Sequence, residues 1–309
     1  DPVIPSATLQ DTGKYEVTVT VNGCASDTAY TYLHVDIPAS TSAGNDQVVC
    51  ANNPVVYLSG IVQGGTTTGV WSTTGTGRFS SPTSNLTGAY IPSNRDTAAG
   101  SVTLFLTSTN NGACRPSVSS VLVTITDAPV ANAGPDARVC ANDSTVLLNG
   151  LVSNVSRAVW SSTGTGSFVP SATDLNATYV PSSADIASGN FRLQLTTTDN
   201  GKCLAVSDAL TVSIASVPVV DAGKDHYVFS KMPFTLSPVV SSDVQLYKWT
   251  PAQNLSDPNS KNPVFSGDED QLLTLQVTNA ERCMSSDQIK LIVLKPIRIP
   301  NVFSPNGDG

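Results

Sequence analysis

The chain has 309 residues, of which 13% are charged, and its formal net charge is −8 at pH 7 with a pI near 4.6. This balance leaves no basic surface that would neutralise the phosphates of nucleic acid or of anionic lipid, so both are poor partner classes. The longest apolar runs, such as residues 291–294, are far shorter than the roughly 20 residues that a membrane-spanning helix needs. The sequence begins with Asp1-Pro2 rather than with Met or a signal peptide, so we expect it to continue a longer precursor.

Residues 1–38 are predicted to be the second half of a β-sandwich domain. The segment Asp11-Thr-Gly-Lys-Tyr15 resembles the tyrosine corner of immunoglobulin-like domains, in which a Tyr near the start of strand F bonds back to the preceding turn. Alternating apolar residues from Tyr15 to Val21 would supply the core face of that strand. Asn22-Gly23 predicts a two-residue hairpin, because a type I′ turn needs positive φ at both central positions. The last strand is expected at 31–35.

A nine-residue block shows that the rest of the chain is repetitive. Trp71-Ser-Thr-Thr-Gly-Thr-Gly-Arg-Phe79 returns almost unchanged as Trp160-Ser-Ser-Thr-Gly-Thr-Gly-Ser-Phe168, and a more divergent third copy places Trp249 at the same position. A fixed period of about 90 residues is typical of tandem domains. The predicted units are 1–38 (the C-terminal half of a domain), 39–128, 129–217, 218–296 and 297–309 (the start of a further domain).

Each complete repeat is predicted to be all-β, since no stretch shows helical periodicity over ten residues. In the first repeat the predicted strands are 48–50, 55–58, 69–72, 101–108 and 121–126. Segments 93–100 and 182–189 each predict a single helical turn. We interpret Trp71 and Trp160 as core residues, with the glycines of the block bending or bulging the strand. The alternative is a ligand loop, because glycines let a backbone approach a sugar or an ion closely.

The third repeat and the C-terminus carry further resemblances. Residues 247–263 replace the Gly-Thr-Gly block and resemble a PKD-like or Ig-like variant that is common in bacterial surface proteins. The last eleven residues, 299–309, resemble the opening of the gliding-motility-associated C-terminal domain, which sorts proteins for type IX secretion. This resemblance implies the type IX secretion machinery as a partner and an extracellular or cell-surface location.

The junctions between repeats are short and contain Pro38, Pro129 and Pro218. Short linkers with proline restrict the angle between neighbouring domains. The predicted fold class is therefore all-β, with tandem immunoglobulin-like β-sandwiches in a rod-like array.

The cysteines recur with the repeats. Cys50 and Cys114 occupy the same places in the first repeat as Cys140 and Cys203 in the second, which predicts one disulfide inside each repeat and an oxidising compartment. Each bridge is expected to clip the tip of the last hairpin to the start of the first strand at the same pole. Any other pairing would contradict the alignment of the repeats.

Two cysteines are left over by this prediction. Phe229 replaces the first cysteine of the third repeat, so Cys283 is predicted to be a free thiol, and Cys24 would need a partner before residue 1. Zinc binding is the alternative role for the cysteines. It has little support, because no Cys-x-x-Cys occurs and the only histidines are His34 and His226.

Acidic residues gather at the junctions between repeats. They are Asp46, Asp136 and Asp225, with Asp36, Asp127 and Asp221 a few residues earlier. Such carboxylates could hold Ca²⁺ and stiffen the array. We favour the interpretation that each Asp accepts hydrogen bonds from its own turn, and no cofactor is predicted.

Three short motifs resemble the O-glycosylation acceptor of gliding bacteria, in which Asp-Ser or Asp-Thr is followed by an aliphatic residue or Thr. The acceptor residues would be Thr28, Thr97 and Ser144.

No grouping of nucleophile, base and orienting residue occurs, and the carboxylates are scattered rather than paired, so no enzyme is predicted. The predicted function is a stalk of a large secreted or cell-surface protein that displays a distal region. In one alternative the repeats are themselves adhesive toward polysaccharide, other cells or copies of the chain. In another they form a subunit of a filament or hook-like appendage, and an enzyme domain tethered upstream is also compatible with the sequence.

Overall fold

The computed structural model describes residues 3–296, and the resemblance at 299–309 to a sorting domain lies outside them. This part of the chain is built mainly of β-strands. Its helices are a 3₁₀ turn, Leu9–Asp11, and two short α-helices, α1 Asn94–Ala99 and α2 Ser183–Ser188. Within the described residues, no helix combines the length and the hydropathy that crossing a bilayer would require.

The strands follow one another through the four predicted units. Residues 1–38 contain β1 Gly13–Val17, β2 Thr20–Val21, β3 Cys24–Ala25 and β4 Ala29–Leu33. The first repeat contains β5 Ala39–Ser42, β6 Gln47–Cys50, β7 Val56–Tyr57, β8 Ile61–Gly64, β9 Gly69–Thr73, β10 Arg78–Phe79, β11 Ala89–Ile91, β12 Ser101–Ser108 and β13 Val118–Thr126. The second contains β14 Val130–Asn132, β15 Ala137–Cys140, β16 Val146–Leu147, β17 Leu151–Ser153, β18 Arg157–Ser162, β19 Ser167–Val169, β20 Thr178–Val180, β21 Asn190–Thr198 and β22 Ser207–Ala215. The third contains β23 Val220–Asp221, β24 His226–Phe229, β25 Phe234–Thr235, β26 Val239–Val240, β27 Val244–Thr250, β28 Val264–Phe265, β29 Gln271–Asn279 and β30 Met284–Leu294.

One sheet pattern recurs in the three complete repeats. A four-stranded sheet has the order β6-β13-β12-β9 in the first repeat, β15-β22-β21-β18 in the second and β24-β30-β29-β27 in the third. Its first strand runs parallel to the last strand of the repeat, as β6 does to β13. A smaller sheet, β10-β11-β7 in the first repeat, supplies the second layer. The fold is therefore all-β, with tandem immunoglobulin-like sandwiches.

The core of each sandwich is built from alternate residues of its long strands. In β12, Val102, Leu104 and Leu106 are buried while their neighbours are more exposed, as the two-residue period of a strand requires. Each repeat buries one tryptophan, and each indole N–H donates to a main-chain oxygen at 3.2–3.3 Å. These tryptophans are Trp71, Trp160 and Trp249, at most 2% exposed. The predicted core role of Trp71 and Trp160 is confirmed.

The predicted tyrosine corner and hairpin of residues 1–38 are also found, whereas the last strand lies at Ala29–Leu33 rather than at 31–35. The Tyr15 hydroxyl donates to the carbonyl oxygen of Asp11 at 2.7 Å, as in a tyrosine corner. Asn22 and Gly23 have φ of 49° and 83° and join β2 to β3, as the hairpin prediction required. The apolar residues after the corner are not covered by a second sheet among the described residues, and Val17, for example, is 56% exposed.

The predicted disulfide pairing is wrong. The bridges join Cys50 to Cys203 and Cys140 to Cys283. Cys114, predicted to be bonded, is a free thiol like Cys24, whereas Cys283, predicted to be free, is bonded.

The direction of β6 is the physical reason. Because β6 runs parallel to β13, Cys50 lies opposite Thr126, at the end of β13 that is remote from the hairpin carrying Cys114. The 9 residues of β13 span about 27 Å, whereas the Cα atoms of bridged cysteines lie within about 7 Å of each other. In both bridges the first cysteine of one repeat is joined to the hairpin cysteine of the next repeat. The expectation that any other pairing would contradict the alignment of the repeats is therefore also wrong, because the two bridges join equivalent pairs of positions one repeat apart.

The chain forms two compact units whose limits do not follow the repeat boundaries. One comprises the described part of Asp1–Val130 together with Val152–Arg157 and Thr197–Val206, and the other comprises Ala131–Leu151, Ala158–Thr196 and the described part of Ser207–Gly309. The first bridge lies wholly within the former and the second bridge within the latter.

Candidate functional site: disulfide staples at the joints

The first bridge belongs to a larger attachment between β6 and the β21–β22 hairpin. Cys50 and Cys203 are bonded with their Cα atoms 4.9 Å apart. Beside them, the side chain of Asn52 makes two bonds to the main chain of Leu204: its Nδ2 donates to the carbonyl oxygen at 3.0 Å, and its Oδ1 accepts from the N–H at 3.0 Å. The Cys203 Sγ also lies 3.5 Å from the carbonyl oxygen of Asp127 in the linker. We call this group, Cys50, Asn52, Cys203 and Leu204, the first staple.

The second bridge repeats the arrangement one unit further along the chain. Cys140 and Cys283 are bonded with their Cα atoms 5.6 Å apart, and Asn142 Nδ2 donates to the carbonyl oxygen of Met284 at 3.0 Å. An ion pair between Arg138 and Glu281, at 3.1 Å, flanks the bridge. We call Cys140, Asn142, Cys283 and Met284 the second staple. In both staples a Cys-Ala-Asn segment at the end of a strand is bonded, through its Cys and its Asn, to the last hairpin of the following repeat.

We expect the hydrogen bonds of the first staple to stabilise its hairpin. Replacing Asn52 with Ala leaves the Leu204 N–H without its acceptor, and a lost bond of this kind costs about 1 kcal/mol. We therefore expect hydrogen exchange at Leu204 to accelerate roughly fivefold. Asn142→Ala is the matched control, because it removes only the bond to Met284 and leaves Leu204 bonded to Asn52. Equal exchange at Leu204 in both variants would contradict this role.

The Gly-Thr-Gly block encloses a buried carboxylate rather than a ligand. Asp96 in α1 is 4% exposed and accepts from the N–H groups of Thr76 and Gly77 at 2.8 and 2.9 Å. The Tyr90 hydroxyl donates to it at 2.7 Å, and the Ser93 N–H donates at 3.0 Å. The second repeat builds the same group around Asp185, which accepts from the N–H groups of Thr165 and Gly166.

The glycines of the block are required by close approach. A Cβ on Gly75 would lie 2.6 Å from Asp96 Oδ1 and 2.6 Å from the Tyr90 hydroxyl, and a Cβ on Gly77 would overlap the carbonyl oxygen of Ile91. The predicted bulge is therefore better described as room for the carboxylate. Its occupation by Asp96 removes the alternative of a ligand loop at this position.

The charge of Asp96 is retained despite burial. Burial raises the pKa of this carboxyl, but the bonds donated by the N–H groups of Ser93 and Thr76, by the Tyr90 hydroxyl and by the Gly77 N–H outweigh it. The pKa is lowered to about 2. The pKa of Asp185 is also lowered, with burial again opposed by bonds from Thr165 and its neighbours.

The junction carboxylates bond across the sheet. Asp46, Asp136 and Asp225 each accept, at 2.7–2.9 Å, the N–H of a residue in the last strand of their own repeat. The interpretation that they bond their own turns is wrong for these three and for Asp36, which accepts from the Ala113 N–H at 2.7 Å. It is right for Asp221, which accepts from the Gly223 N–H at 2.9 Å. No group of three or more His, Cys, Asp or Glu within residues 3–296 is arranged to hold a metal ion.

The three glycosylation candidates differ in accessibility. Thr28 is exposed, whereas Thr97 and Ser144 are half-buried. Thr97 lies in α1, and its hydroxyl donates to the Asn94 carbonyl oxygen at 2.8 Å. Thr28 is therefore the most accessible of the predicted acceptors.

The sequence matches no family model and no curated protein. Solved structures with a similar arrangement of strands include immunoglobulin domains 1–5 of Sidekick-1, at 15% identity and a TM-score of 0.33, covering 94% of this chain and 68% of that one. Titin domains I67–I69, in an E-to-A mutated variant, match at 11% identity and a TM-score of 0.42, covering 84% and 100%. Mouse cadherin-23 EC22–24 matches at 13% identity and a TM-score of 0.33, covering 84% and 100%. At these values the similarities concern the fold alone.

Proposed function

We propose that the chain is a load-bearing stalk of a large secreted or cell-surface protein. The observation that carries this proposal is the overlap of the two staples. Cys140 lies inside the loop that the Cys50–Cys203 bridge closes, and Cys203 lies inside the loop closed by Cys140–Cys283. Segments 50–140, 140–203 and 203–283 therefore connect the same two bridges in parallel.

This covalent arrangement suits a protein under tension. Tension applied at the two ends reaches this region through the first bridge at one side and the second bridge at the other. The three parallel chain segments therefore share the tension. When a repeat between the bridges unfolds, the distance between the two bridges cannot exceed the extended length of the shortest parallel segment, 140–203. A single proteolytic cut between Cys50 and Cys283 also leaves the chain covalently connected. A catalytic domain gains nothing from such a topology, whereas a tether between a cell and a distal region does.

The location in the proposal rests on the bridges and on the C-terminal segment. Disulfides form and persist in oxidising compartments such as the extracellular space. The resemblance of residues 299–309 to the sorting module of gliding bacteria supports delivery by type IX secretion, with its machinery as a transient partner. A non-enzymatic role agrees with the lack of any catalytic grouping in the sequence.

An adhesive role for the chain itself is the second candidate, and one surface favours it. Tyr30 and Tyr32 on β4 are 63% and 71% exposed, and their rings meet edge to face with centroids 6.0 Å apart. The Lys14 ammonium lies 4.6 Å from the Tyr30 ring centre. Tyr30 and Tyr32 lie on the face of the β1–β4 sheet opposite to Tyr15. Tyr15 is the core residue of a tyrosine corner, so a second sheet would cover the Tyr15 face and leave the two rings exposed. Exposed aromatic rings of this kind stack on sugars.

The adhesive candidate is tested by polysaccharide binding. If adhesion resides here, Tyr30→Ala together with Tyr32→Ala abolishes retention on immobilised surface polysaccharide, while Tyr57→Ala, which removes another exposed ring, does not. Retention unchanged in the double variant would show that adhesion does not reside at this surface.

The stalk proposal predicts an extended particle in solution. Sandwich domains joined end to end add roughly 35–45 Å each, since a strand rises about 3.3 Å per residue. Small-angle scattering should therefore give a maximum dimension above about 120 Å for three complete repeats. A compact globule of the same mass would contradict the stalk.

A further inference from the structure

The free thiol of Cys114 lies in the same surroundings as the bonded Cys203. The two hairpins share the sequence Asn-Gly-x-Cys, and their glycines, Gly112 and Gly201, both have φ of 59°. The Cys114 thiol donates to the carbonyl oxygen of Asp36 at 3.5 Å, the same distance that separates the Cys203 Sγ from the Asp127 oxygen. The hairpin of the first repeat is thus already folded as the bonded one is.

Residues 1–38 provide only part of the surface that such a hairpin meets. In the first staple, the linker at Asp127 follows β13, and β13 pairs with β6, the strand that carries Cys50. The linker at Asp36 follows β4, and β4 pairs only with β1 among the described residues. In the first repeat β13 pairs with β12 on one edge and with β6 on the other. The edge of β4 that would take the equivalent of β6 has no strand beside it among the described residues.

The core face of β1 and β4 is open as well. Tyr15, Val17, Ala29 and Thr31 line an apolar groove, and Tyr15 and Val17 are 38% and 56% exposed. A tyrosine corner normally closes a complete sandwich. The open edge, the apolar groove and the unbonded hairpin cysteine adjoin the same incomplete domain.

We propose that Cys114 is half of a third staple, whose other cysteine ends a β-strand that pairs parallel with β4 and belongs to the same polypeptide before Asp1. The two observed bridges span 153 and 143 residues. Equivalent spacing places the partner about 30–40 residues before Asp1. By analogy with Asn52 and Asn142, the partner is followed two residues later by an Asn that bonds the main chain of Arg115.

The other free cysteine does not meet these requirements. Cys24 follows the β2–β3 turn, at the end of residues 1–38 remote from Asp36. The strand β4, Ala29–Leu33, lies between Cys24 and Asp36 and alone spans about 15 Å, more than the roughly 7 Å within which the Cα atoms of bridged cysteines lie. Cys24 itself occupies the hairpin position of its own domain.

Closing the third staple is a two-electron oxidation. The two thiols lose two protons and two electrons as the S–S bond forms, and a disulfide-containing oxidant takes up both to become two thiols. The same oxidant chemistry closes the two observed bridges. The third staple would overlap the first across residues 50–114, so the parallel arrangement of chain segments would continue toward the N-terminus.

The test is a peptide map of the full-length secreted chain, with free thiols blocked by N-ethylmaleimide and no reductant. We expect the Cys114 peptide to be linked to a peptide that precedes residue 1 and contains Cys-x-Asn. Cys114 found as a blocked thiol, linked to Cys24 or linked to a second copy would overturn the proposal. The Cys50–Cys203 link in the same digest is the internal control. Its absence would overturn the stalk account instead, so the two failures are distinguishable.

The chain of residues 1–309 allows a second measurement. A peptide with the sequence of residues 41–52, activated as a mixed disulfide at its cysteine, should modify Cys114 at least tenfold faster than a scrambled peptide does. The exposed Cys24 should react with both peptides at equal rates. Equal rates at Cys114 would show that the β4 edge and groove do not recognise such a strand.

Discussion

Replacing Asp96 with Ala is expected to lower the free energy of unfolding of the first repeat by about 3–5 kcal/mol. The reason is that four buried or half-buried donors lose their acceptor at once: the N–H groups of Thr76, Gly77 and Ser93 and the hydroxyl of Tyr90. Hydrogen exchange of the β12 amides measures this loss, because it reports the first repeat separately from the other two. Exchange of the β21 amides should not change.

Two substitutions calibrate this result. Asp46→Ala also removes a carboxylate from the first repeat, but only one donor, the Leu122 N–H, loses its acceptor, so the expected cost is about 1 kcal/mol. Asp185→Ala should reproduce the large effect in the second repeat. A loss at Asp96 no larger than the loss at Asp46 would contradict the role assigned to the Gly-Thr-Gly block.

The same carboxylate predicts a pH dependence. Its pKa is about 2 in the folded protein against 3.8 ordinarily. The stabilisation is therefore fully present above about pH 4 and is lost as pH falls through 2, a difference of about 2 kcal/mol. Asp96→Ala should flatten the dependence of β12 exchange on pH between 4 and 2, after correction for intrinsic exchange. An unchanged slope would show that another group titrates there.

Local patterns in the sequence predicted the elements of the fold because each depends on neighbouring residues. The Asn22-Gly23 turn forms as expected, since positive φ is a property of those two residues. Segment 101–108 is a strand with the predicted bounds, because alternating burial is visible in its own sequence. The helical turns at α1 and α2 end at Gly100 and Gly189, both with positive φ.

The staples could not be predicted in the same way, because they depend on the direction in which β6 enters its sheet. Because β6 runs parallel to β13, Cys50 lies at the end of the sandwich remote from the hairpin of its own repeat. The residues of β6 themselves do not indicate this direction. One signal was present, however. In the third repeat Phe229 replaces the first cysteine while Cys283 is kept. Pairing within repeats leaves Cys283 without a partner, whereas pairing between successive repeats requires Cys283 as the partner of Cys140. The bonds from Thr76 and Gly77 to Asp96 were missed for a similar reason, since about 20 residues separate the partners.

The overlapping staples should shorten the unfolded chain by about half. With both bridges closed, the shortest covalent path runs through roughly 50 residues to Cys50, about 63 between Cys140 and Cys203 and about 26 after Cys283. At about 3.6 Å per residue this path of about 140 residues is roughly 500 Å long, against roughly 1,100 Å for the unbridged chain of 309 residues. Pairing within repeats, Cys50 to Cys114 and Cys140 to Cys203, would leave about 180 residues, or roughly 650 Å.

Single-molecule extension of the chain of residues 1–309 therefore tests the stapled stalk most directly, with handles attached at the termini by chemistry that spares cysteine. We expect the fully unfolded oxidised molecule to stop near 500 Å and the reduced molecule to reach about 1,100 Å. Cys140→Ser with Cys283→Ser keeps only the first bridge and should stop near 560 Å. An oxidised molecule that extends to 650 Å or beyond would contradict the overlapping staples and, with them, the proposal that this chain bears load.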